Sequence, residues 1–228
     1  MKIGILKTGR TPDELIDEHG DYDAFFKRLL AGRGFEFITY DVLSGVLPAS
    51  SNEAEGWLIT GSKHGVYEKL DWISKLEDFL REAFAAGRPI IGVCFGHQIL
   101  AQALGGKVEK FSGGWSVGPT SYQDAQGEDQ TIIAWHQDQV VERPVGAKVI
   151  GSSEFCENAI LAYGDIALTI QPHPEFTADF MAGLLEARRG ILPDSVVLKA
   201  QERQTDVLTS LNYAVIFEDF FKRKRQSS

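Results

Sequence analysis

The chain has 228 residues, 43% hydrophobic and 24% charged, the proportions of an ordinary globular protein long enough to bury a full core. Its formal net charge of −9 excludes nucleic acid as a main partner, because phosphate binding draws on Lys and Arg. Two cysteines, Cys94 and Cys156, are too few for a disulfide framework and fit a reducing cytoplasm. No apolar run approaches the ~20 residues that span a bilayer, and the first one is too short for a signal-peptide core.

In chain order, residues 3–6 read as a first buried strand. Tyr22, Phe25, Phe26, Leu29 and Leu30 recur at helical spacing, and Gly32-Arg33-Gly34 stops that helix before a second strand over 35–40. This strand–helix–strand order is parallel α/β construction. A third strand, 57–60, runs into Gly61-Ser62, a turn placed to expose backbone N–H groups at the carboxyl edge of a sheet. Trp72, Ile73, Leu76, Phe79, Leu80 and Phe84 mark an amphipathic helix that ends at Gly87. From Lys107 the pattern changes to short, partly alternating segments (107–111, 117–122, 131–135, 140–141 and 148–152). These predict an antiparallel section added to the parallel core. Segments 159–163 and 166–170 flank Gly164-Asp165 as a hairpin. Helices follow over 178–189, 194–203 and 206–222. The last is apolar through Val207, Leu208, Leu211, Val215, Ile216, Phe217, Phe220 and Phe221, so it must bury a face against the body or a partner. The basic end, Lys222 to Ser228, reads as a frayed, solvated helix end.

The most informative stretch is Gly92-Val93-Cys94-Phe95-Gly96-His97-Gln98. A short branched-apolar run meets a helical pattern at one cysteine with a glycine two residues to either side. A sharp strand-to-helix turn needs small neighbours at those places, and a nucleophile at its tip lies over a helix N-terminus, where a thiolate is favoured. A cysteine nucleophile needs a base, a group to orient that base, and donors for an oxyanion. In Gln171-Pro172-His173-Pro174-Glu175, prolines fix His173 in a loop after a strand, and Glu175 is close enough to hold the ring's second nitrogen. The N–H of Phe95 and that of the Gly61-Ser62 turn are positioned as oxyanion donors. The five histidines show no tight metal-ligand spacing, and Cys156 reads as a bystander thiol.

Together, the two motifs resemble the class I (triad) glutamine amidotransferases, in particular the stand-alone branch similar to the glutaminase domain of GMP synthase. Ile59-Thr60-Gly61-Ser62 matches that family's oxyanion turn, and Trp135-His136-Gln137-Asp138 matches its strand-end loop beside the glutamine pocket. The resemblance covers about residues 1–190. It departs from the family at Ser62, where a second glycine is common, and at Pro172, where an aromatic residue is usual.

The resemblance implies an open, mostly parallel, flavodoxin-like sheet flanked by helices, in a single domain over 1–228 with 191–228 as a helical extension. It also implies Cys94 as nucleophile, His173 as base and acid, and Glu175 as orienter. The N–H groups of Ser62 and Phe95 would form the oxyanion hole, with no cofactor required. Gly61, Gln98, Gly114, Trp115, Trp135 and His136 would bind a glutamyl substrate. Three readings stay open. The first is a glutaminase, possessing no G-x-x-x-x-G-K-[ST] phosphate loop of its own, that feeds ammonia to a separate synthetase. The second is a γ-glutamyl peptide or conjugate hydrolase or transpeptidase using the same triad. The third is a non-enzymatic thiol sensor. A homo-oligomer through the last helix and an intramolecular lid both fit the pattern.

Overall fold

The computed structural model describes residues 1–225; Gln226, Ser227 and Ser228 at the end of the basic tail lie outside the described residues. The first half of the chain runs β1 (Lys2–Lys7), α1 (Asp13–His19), α2 (Tyr22–Leu29), β2 (Glu36–Asp41), β3 (Gly56–Ile59), α3 (Asp71–Ala85), β4 (Ile90–Val93) and α4 (Phe95–Ala103). A run of strands comes next: β5 (Lys107–Lys110), β6 (Ser116–Asp124), β7 (Asp129–His136), β8 (Asp138–Glu142), β9 (Lys148–Ser152), β10 (Ile160–Tyr163) and β11 (Ala167–Ile170). Helices α5 (Ala178–Ala187), α6 (Asp194–Glu202) and α7 (Ser210–Lys222) close it.

Nine strands form one sheet in the order β2-β1-β3-β4-β11-β10-β9-β6-β7. The five from β2 to β11 are mutually parallel, and the pairs β11–β10, β10–β9, β9–β6 and β6–β7 are antiparallel. The α/β class and the parallel core with an antiparallel extension match the sequence expectation, but the extension is not one piece. β5 and β8 leave the main sheet and pair as a separate two-stranded ribbon.

Strand alternation divides the interior. Leu6, Trp57, Ile59, Ile90, Leu161 and Ala167 face α3 and α4. Ile3, Ile5, Leu58, Ile91, Leu168 and Ile170 face α2 and α7. A third cluster joins Leu15, Phe25, Phe176, Phe180 and Leu184 to Leu192 and Ala200 of the C-terminal segment. Close approach makes Gly4 necessary, since a Cβ there would lie 2.2 Å from the Trp57 ring.

The last helix differs from its expectation in two ways. It begins at Ser210, not at 206, and Val207, Leu211, Val215 and Ile216 are exposed. Its buried stripe is Tyr213, Ala214, Phe217, Phe220 and Phe221, spaced 3–4 residues apart, and it packs within the molecule on the α2 side of the sheet. Beyond it the chain folds back: Arg225 Nε donates to the Asp165 carbonyl at 2.8 Å and Nη2 to that of Phe220 at 2.8 Å.

Candidate active site

Strand order assembles the site. β3, β4 and β11 are adjacent and parallel, so the loops that leave them emerge together at one carboxyl edge. Gly61 comes after β3, Cys94 after β4 and His173 after β11.

Cys94 sits between β4 and α4 at φ 53°, ψ −103°, the one non-glycine residue with positive φ among the described residues. Its glycine neighbours are required by backbone contact. A Cβ on Gly92 would lie 2.4 Å from the Gly96 carbonyl oxygen, and one on Gly96 would lie 2.5 Å from that of Ile59. The Phe95 N–H is the first of α4 and has no intrahelical acceptor.

The His173 N–H donates to the Ile133 carbonyl at 2.8 Å, which fastens the proline-bounded loop to β7. The His173 ring stacks flat on Phe176, centroids 4.1 Å apart and planes 6° from parallel. Its Nδ1–H donates to Glu175 Oε1 at 2.7 Å, and both side chains are buried. That leaves Nε2 free of Glu175, and Cys94 is near enough for its negative charge to favour the protonated ring. Burial disfavours the imidazolium, but the neighbouring Glu175 carboxylate and Cys94 thiolate outweigh it, so His173 titrates above its ordinary value.

Gly61 lies against both groups: a Cβ there would lie 2.9 Å from His173 Cε1 and 3.8 Å from the Cys94 Cβ. The Thr8 and Thr60 hydroxyls lie 3.2 and 3.1 Å from the Gly61 carbonyl oxygen. Because a trans peptide points its C=O and N–H in opposite directions, the Ser62 N–H faces away from those hydroxyls.

A cavity of about 480 Å³ opens beside Cys94. Ser62, Gln98, Trp115, Trp135 and His136, all expected from the sequence, line it; Gly61 and Gly114 do not, and the Gly114 N–H closes a turn onto Phe111. Gln98 is braced, its Nε2 donating to the Asp138 carbonyl at 2.9 Å and to Gln171 Oε1 at 3.0 Å. The 3.2 Å contact of His136 Nδ1 is with the Asp138 carbonyl, which only accepts, so Nδ1 carries the proton and the buried, unpartnered Nε2 presents a lone pair. Burial depresses the His136 pKa to about 3, helped by the nearby His173 charge.

The cavity also holds His64, Tyr67, Glu68, Lys110 and Arg188, none of which the sequence patterns assign to a substrate pocket, and Asp138, the last residue of the strand-end motif expected beside it. His64 Nδ1 lies 2.9 Å from Glu68 Oε2, and the Gly65 N–H donates to Glu68 Oε1 at 2.7 Å, bracing the turn after β3. Burial raises the Tyr67 pKa to about 12, with its hydrogen bond to Asp138 adding to the shift. Burial lifts Asp138 above the usual carboxylate range. These residues come from the loop between β3 and α3, the end of β5, the start of β8 and the end of α5. His97, by contrast, is fully buried, with Nδ1 2.7 Å from the Thr169 hydroxyl, and burial drives its pKa down to about 3.

Comparison with known proteins agrees with this geometry. The family model described as glutamine amidotransferase class-I matches residues 16–184. γ-Glutamyl peptidase 4 of Arabidopsis thaliana is 31% identical over 193 residues, 77% of this chain and 77% of its own. A subunit of the glutamine-hydrolysing GMP synthase of Halobacterium salinarum is 29% identical over 174 residues, 71% of this chain and 87% of its own. A glutamine amidotransferase structure from Methylobacillus flagellatus shares the fold, with a TM-score of 0.74 at 20% identity over 96% of this chain and 92% of its own. With a strand-to-helix elbow at Cys94 and the family model spanning well over half of its length, this chain belongs to the class-I glutamine amidotransferase family.

Proposed function

We propose that the protein hydrolyses γ-glutamyl amide bonds, with Cys94 as nucleophile and a peptide amine as the leaving group. The observation that carries this reading is the buried line Glu175–His173–Cys94, anchored by the 2.7 Å bond from His173 to Glu175. The thiolate sulfur attacks the γ-carbonyl carbon, and the carbonyl oxygen takes the negative charge between the N–H groups of Ser62 and Phe95. Each such donor is worth about 2.7–4 kcal/mol in the barrier. His173, protonated at Nε2, gives that proton to the departing nitrogen as the C–N bond breaks, leaving a γ-glutamyl thioester. His173 then takes a proton from water, which attacks the thioester, releases glutamate and restores the thiolate–imidazolium pair.

The peptide amine is favoured by the similarity to γ-glutamyl peptidases over 77% of both chains. The similarity to a GMP synthase subunit favours a second reading, in which glutamine is the substrate and ammonia passes to a separate synthetase chain.

Glutamate release should be followed from L-glutamine and from γ-glutamyl dipeptides, with Cys94→Ala as control. Peptide cleavage without any added partner, lost by at least about 10³-fold in Cys94→Ala and accompanied by a mass increase of one glutamyl group on wild-type Cys94, is the expected result. Turnover of glutamine alone, and only with a synthetase present, supports the second reading. No turnover and no acyl-enzyme on any of them rejects both.

A further inference from the structure

A second cavity is larger than the one beside Cys94. A cleft of about 970 Å³ lies next to it, lined by β6, by residues 152–155 and by α6. It exists because the sheet parts there. β6 pairs with β7 along its whole length, from Ser116↔His136 to Gln123↔Asp129. On its other edge it meets β9 only at Gln123↔Ser152 and Asp124↔Gly151.

The register shows what the open edge presents. The Ile133 carbonyl accepts from the His173 N–H, and Thr131 exchanges hydrogen bonds with Thr209, so both turn their backbone groups away from β6. Opposed residues of an antiparallel pair share that orientation. Pro119, opposite Ile133, and Ser121, opposite Thr131, therefore turn theirs away from β7, as does Val117 two residues earlier. All three line the cleft. Pro119 fits this, since its missing N–H falls on the unpaired side. The edge thus offers the carbonyls of Val117, Pro119 and Ser121 and the N–H groups of Val117 and Ser121, without a strand partner among the described residues.

The cleft adjoins the active site. Trp115 lines both cavities, and Phe155 of the cleft packs on His136 of the catalytic cavity with ring centroids 6.0 Å apart. β9 closes the far end at Gln123, and Lys199 of α6, Arg203 just after it, Asp129 and Glu154 also line the cleft. Arg203 is paired with Asp206, while Lys199 has no ion-pair partner among the described residues.

We propose that this cleft is a peptide-binding site. The amine side of a γ-glutamyl oligopeptide passes Trp115 and adds as a short strand to the β6 edge over Val117–Ser121, with its terminal carboxylate drawn to Lys199. At ~3.4 Å per residue, the free edge takes up to about five residues. This rests on the γ-glutamyl peptide reading above and goes beyond it by assigning substrate length and backbone recognition to a second cavity.

The test is a length series, γ-Glu-Ala, γ-Glu-Ala-Ala and γ-Glu-Ala-Ala-Ala, the longest also made with N-methylated amides beyond the scissile bond. The expected result is a rise in kcat/KM of about tenfold from the shortest to the longest. N-methylation and Ser121→Pro, which deletes an N–H facing the cleft and none used by β7, should each remove most of the rise while γ-Glu-Ala turnover is unchanged. Lys199→Glu should cut the rise for the free acid but not for its C-terminal amide. If γ-Glu-Ala is cleaved but the series is flat, or the rise survives N-methylation and Ser121→Pro, the proposal is overturned and the edge is left to a strand of another protein. If nothing is cleaved, the γ-glutamyl peptide reading fails instead. Calorimetric binding to Cys94→Ala then decides the cleft: tighter binding of the longest peptide supports the site, and equal binding rejects it.

Discussion

At Cys94 the backbone sits in a region that costs a non-glycine residue about 1–3 kcal/mol, and the surrounding contacts hold it there. The strain places the thiol over the N-terminus of α4, within reach of a histidine whose charge is set by its neighbours. Glu175 gives Oε1 to His173, and its Oε2 is buried without a partner, so the carboxyl group serves that one ring. Glu175→Gln keeps the shape but withdraws the charge that raises the His173 pKa. With protonated His173 as the proposed donor to the leaving amine, the alkaline limb of the kcat/KM profile should move to lower pH. The rate should fall by about 10²–10⁴-fold, which steady-state kinetics across pH will measure. Cys94, His173 and Glu175 are readable in the sequence because each sits in a short motif whose glycines or prolines dictate local geometry. Tyr67, Glu68 and Arg188 carry no such local mark, and such a residue's proximity to a cavity is not encoded by its neighbours in sequence.

At the scale of elements, the β4–α4 unit depends on two backbone approaches that no side chain can enter. Gly96→Ala would push a Cβ to 2.5 Å from the Ile59 carbonyl oxygen, driving β3 and α4 apart. A loss of about 1–3 kcal/mol or more is expected, read as a lower urea midpoint, together with weakened activity because the proposed oxyanion turn at Gly61-Ser62 comes soon after β3. The strong amphipathic periods of α2 and α3 are legible from spacing alone. α1 escapes notice because it has seven residues and buries only Leu15, which gives no period to detect. The overlong expectation for α7 has a related cause. Val207, Leu211 and Val215 continue an apolar composition but fall off the 3–4-residue stripe that Tyr213, Phe217 and Phe220 put against the sheet.

For the whole molecule, the buried histidines set opposing pH dependences. His97 and His136 are held near pKa 3 when folded and rise to about 6.5 on unfolding, so below pH 6.5 the unfolded chain binds more protons and stability falls as pH drops. His173 is raised, so its contribution is complete below about pH 6.5 and is lost only as pH climbs through its folded value. Between about pH 6 and 4.5 the net slope therefore belongs to the first two, at up to about 1.4 kcal/mol per pH unit each. His97→Gln, which keeps a polar partner for Thr169, should lower the slope of urea-derived stability against pH by about that amount relative to the wild type. An unchanged slope would mean that His97 is not held neutral by burial.

The α/β class, the parallel order of the first strands and the proposed nucleophile, base and orienter are read from local pattern: hydrophobic period, glycine at close approach and proline at a fixed turn. Local pattern has a reach of a few residues, and within that reach it is sufficient. Which antiparallel strands pair, that β5 and β8 leave the main sheet, and that β6 parts from β9 to open a cleft beside the catalytic cavity are decided between segments far apart in the chain, as Lys107 opposite Glu142 and Gln123 opposite Ser152 show. At that range the partner of an edge is chosen by packing of the whole, as the close approach of Ala200 in α6 to Gly118 shows, and the tertiary structure alone records the choice.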